Sequence, residues 1–330
     1  MNMDLNRSRT SLKGKRIASL DIGSHTARML IAECTGSPRL FRALARRRVY
    51  TYLGEGFKGD EKCDLMEGAV ERTAGAIKNF VASAGKFGVD EFHAVSTGVS
   101  RRAGNKRYFL DSVKTRAGID VEIISGKREA MLTRRGVIYG SDRVDSDSNV
   151  IFDLGGATTE FIWGKEETLK IKSLPLGALV LTQEYLHSDP PEDDMIRAMS
   201  TGIASILERG FSREKKRLNN IQITGSGGTA TTLSAIINGL GVREIIPERI
   251  NGLVISRDSI DSLFSRIRSM SVSGRKKIRG MEQGRAGVII AGTLAVSRII
   301  DFFHSKEMTV SYSDILEGIL ISYIMGEENE

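Results

Sequence analysis

Two stretches of this chain decide the reading: Asp21-Ile-Gly-Ser-His-Thr-Ala-Arg-Met-Leu-Ile31, and Asp153-Leu-Gly-Gly-Ala-Thr-Thr-Glu-Phe-Ile-Trp163, which stands 132 positions later. Laid over one another they share Asp, an aliphatic residue, Gly, a small residue, Thr two positions further on, and a closing run of large apolar side chains. Each copy follows a hydrophobic strand, Ile17 to Asp21 in one case and Asn149 to Phe152 in the other. Each reads as a hairpin whose turn carries the glycine. A chain with one such hairpin in each half is a duplication of two related domains.

Around these hairpins the pattern alternates. Leu65 to Gly85 places Leu65, Ala69, Ala76, Phe80 and Ala84 at helical spacing; Phe92 to Val95 and Val121 to Ile124 read as strands, the latter entering a helix near Arg128. Strands alternating with helices predict an α/β fold. A third glycine-rich turn, Thr224-Gly-Ser-Gly-Gly-Thr229, follows the strand Ile221 to Ile223 and opens the helix Ala230 to Ile237. Strand, glycine turn and helix form a geometry suited to phosphate, because backbone N–H groups and the positive end of the helix dipole face an anion.

Composition bounds the class. With 330 residues, 40% of them hydrophobic and 27% charged, the chain is an ordinary globular protein of about two domains. Runs such as Val288 to Ala291 end too soon to cross a bilayer, which takes about 20 apolar residues. Met1 to Arg16 is polar and basic, so a cytoplasmic, membrane-free location is expected. Cys34 and Cys63 lack a Cys-x-x-Cys or Cys/His context, and the four histidines are scattered, so no zinc site is read. The net charge of +7 includes the runs Arg46 to Arg48 and Arg275 to Lys277; solvated faces account for such runs, and no specific nucleic-acid partner is inferred.

Three Gly/Ser/Thr loops beside two strand-end aspartates, Asp21 and Asp153, define the chemistry. Amides and hydroxyls cradle phosphate oxygens, whereas a carboxylate there needs a hard cation between it and the phosphate. Mg²⁺ is the natural bridge. No Gly-Lys-Ser/Thr follows any of the turns, which removes P-loop chemistry. Phosphoanhydride hydrolysis and adenine-nucleotide binding both stay open at this point.

The duplicated Asp-x-Gly hairpins and the Gly225-Ser-Gly-Gly-Thr229 turn resemble the actin-like ATPase superfamily. The ordered series Asp21-Ile-Gly-Ser24, Leu53-Gly-Glu-Gly56, Ser96 to Asn105, Ile124-Ser-Gly-Lys-Arg-Glu-Ala130, Asp153 to Glu160, Ser173 to Ala178, Gly225 to Thr229 and Arg285-Ala286 resembles, more narrowly, the exopolyphosphatase / guanosine pentaphosphate phosphohydrolase (Ppx/GppA) family. The resemblance implies the family's short form: two actin-like (ribonuclease H-like) domains with mixed sheets flanked by helices, residues 1–126 plus 308–330 and residues 127–307, with the active site in the interdomain cleft. It implies a Mg²⁺-dependent hydrolase releasing orthophosphate from inorganic polyphosphate or a guanosine pentaphosphate (pppGpp)-type nucleotide, and a homodimer. An ATP-dependent small-molecule kinase of the same superfamily, or a weakly active sensor of a phosphorylated ligand, are the rivals.

Carried onto this sequence, the resemblance makes Glu129 the activator of the attacking water, and Arg101 the group that stabilises charge in the transition state. Asp21, Asp153 and Glu160 hold metal or water. Thr97 and Asn105 lie near the phosphate chain; their four-residue spacing with Arg101 predicts one helix face bearing all three. Gly23, Ser24, His25 and Thr26, Gly155, Gly156 and Thr158, and Gly225, Ser226, Gly227, Gly228 and Thr229 line the phosphates. The chain departs from the pattern at His25 (Asn in the family), Arg128 (Glu), Ala157 (Gly), Val180 (Arg), Gly287 (Asp) and Leu316 (Arg). Two arginines are thereby lost, which bears on substrate choice and activity.

Overall fold

A computed structural model describes residues 12–36, 40–57, 63–141, 144, 149–164, 168–214, 218 and 221–326. The elements that build the sheets and cover them are, in chain order, β1 (Arg16–Ile22), β2 (Thr26–Cys34), β3 (Phe41–Tyr50), α1 (Glu67–Gly85), β4 (Glu91–Ser96), α2 (Val99–Arg102), α3 (Lys106–Ala117), β5 (Glu122–Ile123), α4 (Gly126–Gly140), β6 (Asn149–Leu154), β7 (Thr159–Trp163), β8 (Lys170–Leu174), α5 (Ala178–Tyr185), α6 (Asp193–Gly210), β9 (Gln222–Ser226), α7 (Gly227–Ile237), β10 (Leu253–Ser256), α8 (Arg257–Arg268), α9 (Ile289–Phe302), β11 (Glu307–Val310) and α10 (Ile315–Ile324).

The chain divides into two units. One contains the described residues up to 136 together with 315–326; the other runs from 137 to 314. Among the described residues the first carries a five-stranded sheet in the order β3-β2-β1-β4-β5, and the second a six-stranded sheet in the order β10-β11-β9-β6-β7-β8. In the first, β1–β2 and β2–β3 are antiparallel while β1–β4 and β4–β5 are parallel. The series β8-β7-β6-β9-β11 repeats these directions strand for strand, with β10 added antiparallel at its far edge. The duplication read from two hairpins therefore extends over whole sheets, and the fold is the expected α/β pair of mixed sheets flanked by helices.

The division falls at 136/137 and 314/315 rather than at 126/127 and 307/308. β11 is the reason at the second point, since it pairs with β9 and β10 inside the second sheet. At the first point, Leu132 of α4 joins Val95, Ile124, Ile315 and Ile319 in one apolar cluster, which holds the start of α4 on the first unit. Glu129 consequently belongs to the same unit as Asp21 and Arg101.

Burial explains the central strands. β1 is buried along Ile17–Ile22 on both faces, as a strand covered by helices on either side must be. One face, with Ile17, packs together with Leu30, Ala32 and Cys34 of β2 against Leu316, Leu320, Ile321 and Ile324 of α10. That helix is apolar nearly all round and correspondingly buried. Its one charged residue, Glu317, is paired with Arg46 of β3. In the second unit Phe152 of β6 and Phe161 of β7 lead into a ring cluster, with Phe161 5.1 Å and edge-on to Phe211, and Phe211 5.4 Å from Phe303. No helix among the described residues is long and apolar enough to cross a membrane.

Gly318 lets α10 approach α4. A Cβ at this position would overlap the carbonyl group of Leu132, which is backbone and cannot turn aside. Gly318→Ala is expected to force the two helices apart at a cost of about 2 kcal/mol, in the range of overpacking substitutions. An unchanged thermal midpoint in that variant would show the contact to be soft.

Candidate functional site

Both hairpins have the same register. Asp21 stands opposite Arg28, and Asp153 opposite Glu160, each pair offset by the same 132 positions. Each turn closes on its glycine, Gly23 N–H donating to the Thr26 carbonyl at 2.9 Å and Gly155 N–H to that of Thr158 at 3.0 Å. These two amides are thus committed to the turns.

In the first unit the hairpin tip is held from two sides. Gly54 N–H donates to the Ser24 carbonyl at 2.8 Å, and the amides of Thr51 and Tyr52 donate to the His25 carbonyl, both at 3.1 Å. Val99 N–H donates to Ser24 Oγ at 3.2 Å. The His25 ring is buried, edge-on to Tyr50 at 5.3 Å and to Tyr52 at 4.8 Å, and Thr26 is buried beside it. Ser24 and His25, read from sequence as phosphate ligands, serve here in packing the tip.

The acids of this unit are matched by arginines. Arg28 donates to Asp21 Oδ2 from Nε at 3.0 Å and from Nη2 at 2.6 Å, and Thr97 Oγ1 lies 3.5 Å from Asp21 Oδ1. Arg101 is ion-paired through Nη1 with Glu129 Oε2 and reaches the Ile124 carbonyl at 3.4 Å. Glu129 is buried in the first turn of α4, a turn begun by Ser125, whose Oγ accepts from Arg128 N–H at 3.1 Å.

Thr97, Arg101 and Asn105 do not share a helix face, contrary to the reading of their spacing. Thr97 precedes the helix; α2 lasts four residues and gives way to extended backbone at Ala103; Asn105 is the N-cap position of α3. Gly98, at φ +60°, starts α2 from a conformation no continuous helix adopts. The Asn105 amide is turned to Leu65, accepting from its N–H and donating to its carbonyl, both at 2.9 Å.

In the second unit Asp153 and Glu160 are a buried carboxylate pair on one face of the sheet, with Ser173 Oγ donating to Glu160 Oε1 at 2.8 Å. Gly155 and Gly156 give their carbonyls to the first amides of α5, Ala178 N–H to Gly155 at 3.0 Å and Leu179 and Val180 N–H to Gly156 at 2.9 and 3.1 Å. A Cβ at Gly177 would overlap the backbone of Ala157, so glycine at 177 is what lets the two segments lie against each other.

At the β9–α7 turn, Ser226 is aligned with Asp153 in parallel register. Gly227, at φ +85°, leaves room for Asp153: a Cβ there would lie 2.5 Å from Oδ1. Gly228 meets the guanidinium of Arg285, which is nearly buried and also bonds Glu282 at 2.8 Å. Gly225 packs against Phe152, and Thr229 against Gly292 of α9. An arginine laid over the first turn of α7 adds a positive charge to the dipole end of an eleven-residue helix. Arg28 and Arg285 escaped the sequence reading as site residues. The Arg285-Ala286 pair was visible, but its meeting with Gly228 depends on tertiary packing.

The two units differ in their fit to a cation. Asp153 and Glu160, side by side and buried, are hard oxygen donors whose like charges ask for one, and Mg²⁺ takes one or two carboxylates while keeping waters and phosphate oxygens. Asp21 already has the Arg28 charge against it. Among the described residues no group of three or more His, Cys, Asp and Glu side chains is arranged as a metal cage. The family's lost arginines fall at core positions here, Val180 and Leu316 both being buried.

A model of the Ppx/GppA phosphatase family matches residues 30–327. The chain belongs to that family. It is 27% identical over 318 residues to exopolyphosphatase 2 of Mycobacterium tuberculosis, covering 93% of this chain and 98% of that protein. It is 28% identical over 325 residues to a bifunctional 3-dehydroquinate synthase/phosphatase of Fusobacterium nucleatum, spanning 95% of this chain and 47%, about half, of that longer protein. The crystal structure of the Aquifex aeolicus Ppx/GppA family member superposes with a TM-score of 0.74 at 29% identity, covering 96% of this chain and 99% of that one. The protein is a phosphohydrolase.

The Asn105 contacts give a discriminating test. Asn105→Ala is expected to lower stability by about 1–2 kcal/mol, the worth of two hydrogen bonds to backbone, while leaving the Michaelis constant for a phosphate substrate unchanged. A rise in that constant without loss of stability would restore the residue to the phosphate site.

Proposed function

We propose that this protein hydrolyses the terminal phosphoanhydride bond of inorganic polyphosphate, with a guanosine pentaphosphate-type nucleotide as the second candidate substrate, in a Mg²⁺-dependent reaction. The observation that carries the reading is Glu129, a buried carboxylate in a helix first turn, oriented by Arg101. The exopolyphosphatase relative supports polyphosphate as the first choice.

In the reaction a water attacks the terminal phosphorus, its proton passes to Glu129, the bridging P–O bond breaks, and the shortened chain leaves with the bond's electron pair on its terminal oxygen. Arg101 keeps Glu129 aimed before the attack. Its guanidinium has five N–H donors, so it can serve a phosphoryl oxygen and the carboxylate together. The α7 N-terminus and Arg285 bind anionic oxygens, an interaction that gains as charge spreads in the transition state. Mg²⁺, held by Asp153 and Glu160, would supply charge neutralisation to the phosphate oxygens. Polyphosphate suits a site that recognises charge and spacing rather than a base, since the functional groups found here are amides, hydroxyls, carboxylates and guanidinium groups.

Orthophosphate release measured over a panel of polyphosphates and guanosine nucleotides tests the assignment. Glu129→Gln is expected to lower kcat by about 10²-fold or more, the usual weight of a general base, with the fold intact by circular dichroism. Chelation by EDTA is expected to stop turnover, and added Mg²⁺ to restore it. Wild-type rates in the Gln variant would remove Glu129 as the base.

A further inference from the structure

The register row through Asp153 does not end at Glu160. β8 pairs with β7 so that Ser173 stands opposite Glu160, giving Asp153, Glu160 and Ser173 side by side across three strands. The corresponding row of the first unit is Asp21, Arg28 and Arg48. With ordinary ionisation one row carries two negative charges and the other a net positive charge. Ser173 Oγ donates to Glu160 Oε1 at 2.8 Å. A hydroxyl at this place can orient a carboxylate without itself bringing a charge, whereas Arg28 brings one to Asp21.

We propose that Ser173 is a positioning residue for the metal pair: by engaging Oε1 it turns Oε2 of Glu160 toward a cation shared with Asp153. This rests on the reading of Asp153 and Glu160 as the metal-holding carboxylates. The hydroxyl is not required by the fold. Ser173 is exposed on β8, a sheet-edge strand among the described residues, and its backbone pairing with β7 does not involve the side chain.

The test is Mn²⁺ binding to the full chain without substrate, followed by electron paramagnetic resonance, alongside the Mg²⁺ concentration that half-activates phosphate release. Ser173→Ala is expected to weaken Mn²⁺ binding about tenfold and to raise the half-activating Mg²⁺ by a similar factor, the usual weight of a residue that orients a metal ligand, with kcat at saturating Mg²⁺ little changed. Ser173→Thr, which keeps the hydroxyl, is expected to restore both. Ser173→Arg, which brings in the charge of the other row, is expected to abolish Mn²⁺ binding. Unchanged Mn²⁺ affinity in Ser173→Ala overturns the role of Ser173 alone. A wild-type chain that binds no Mn²⁺, or whose binding survives Glu160→Gln, overturns the metal reading and this proposal with it.

Discussion

The hairpin register is the constraint on which the site depends. A turn closed by one glycine amide fixes which residue of the second strand stands opposite the strand-end aspartate. A slip of one residue would send every side chain of that strand to the other face of the sheet. In the second unit the consequence is concrete, because Phe152 and Phe161 occupy the opposite face, and a slip would carry Glu160 toward the aromatic core in place of Phe161. The alternation that buries the phenylalanines is therefore also what holds two carboxylates together.

Keeping that register while changing one residue changes the electrostatics of the whole row. Arg28 opposite Asp21 makes a compensated pair, whose attraction works against the cost of burying the Asp21 carboxylate. Glu160 opposite Asp153 does the reverse, concentrating negative charge where little water reaches. Ser173 Oγ is one donor to this pair. The duplicated scaffold thus places unlike residues at equivalent positions: a second carboxylate faces Asp153 where an arginine faces Asp21.

How much of this was legible from sequence follows from which interactions are local. Hairpins, the helix from 67 to 85 and the glycine turn before α7 are written in short-range patterns of apolar residues and glycines, and they appear where the pattern puts them. Spacing failed at Thr97, Arg101 and Asn105 because a four-residue rule presumes an unbroken helix, and Gly98 and the extended Ala103 interrupt it. The assignment of α4 failed for a different reason. Its attachment to the first unit comes from Leu132 meeting Ile315 and Ile319, residues nearly 200 positions away. Small polar residues near a turn were the least informative, since the contacts of Ser24 with Val99 and of Thr229 with Gly292 depend on tertiary packing that no local pattern encodes.

The arginines show why a lost residue does not mean a lost charge. Leu316 sits among Ile17, Leu30 and Leu320, where a guanidinium would need its own buried partner, and Val180 is buried as well. The cations that do face the candidate groups arrive from other elements: Arg28 from β2, Arg101 from α2, and Arg285 from the segment before α9. Each is tied to a carboxylate, so each is held in one orientation rather than swinging on a flexible stem.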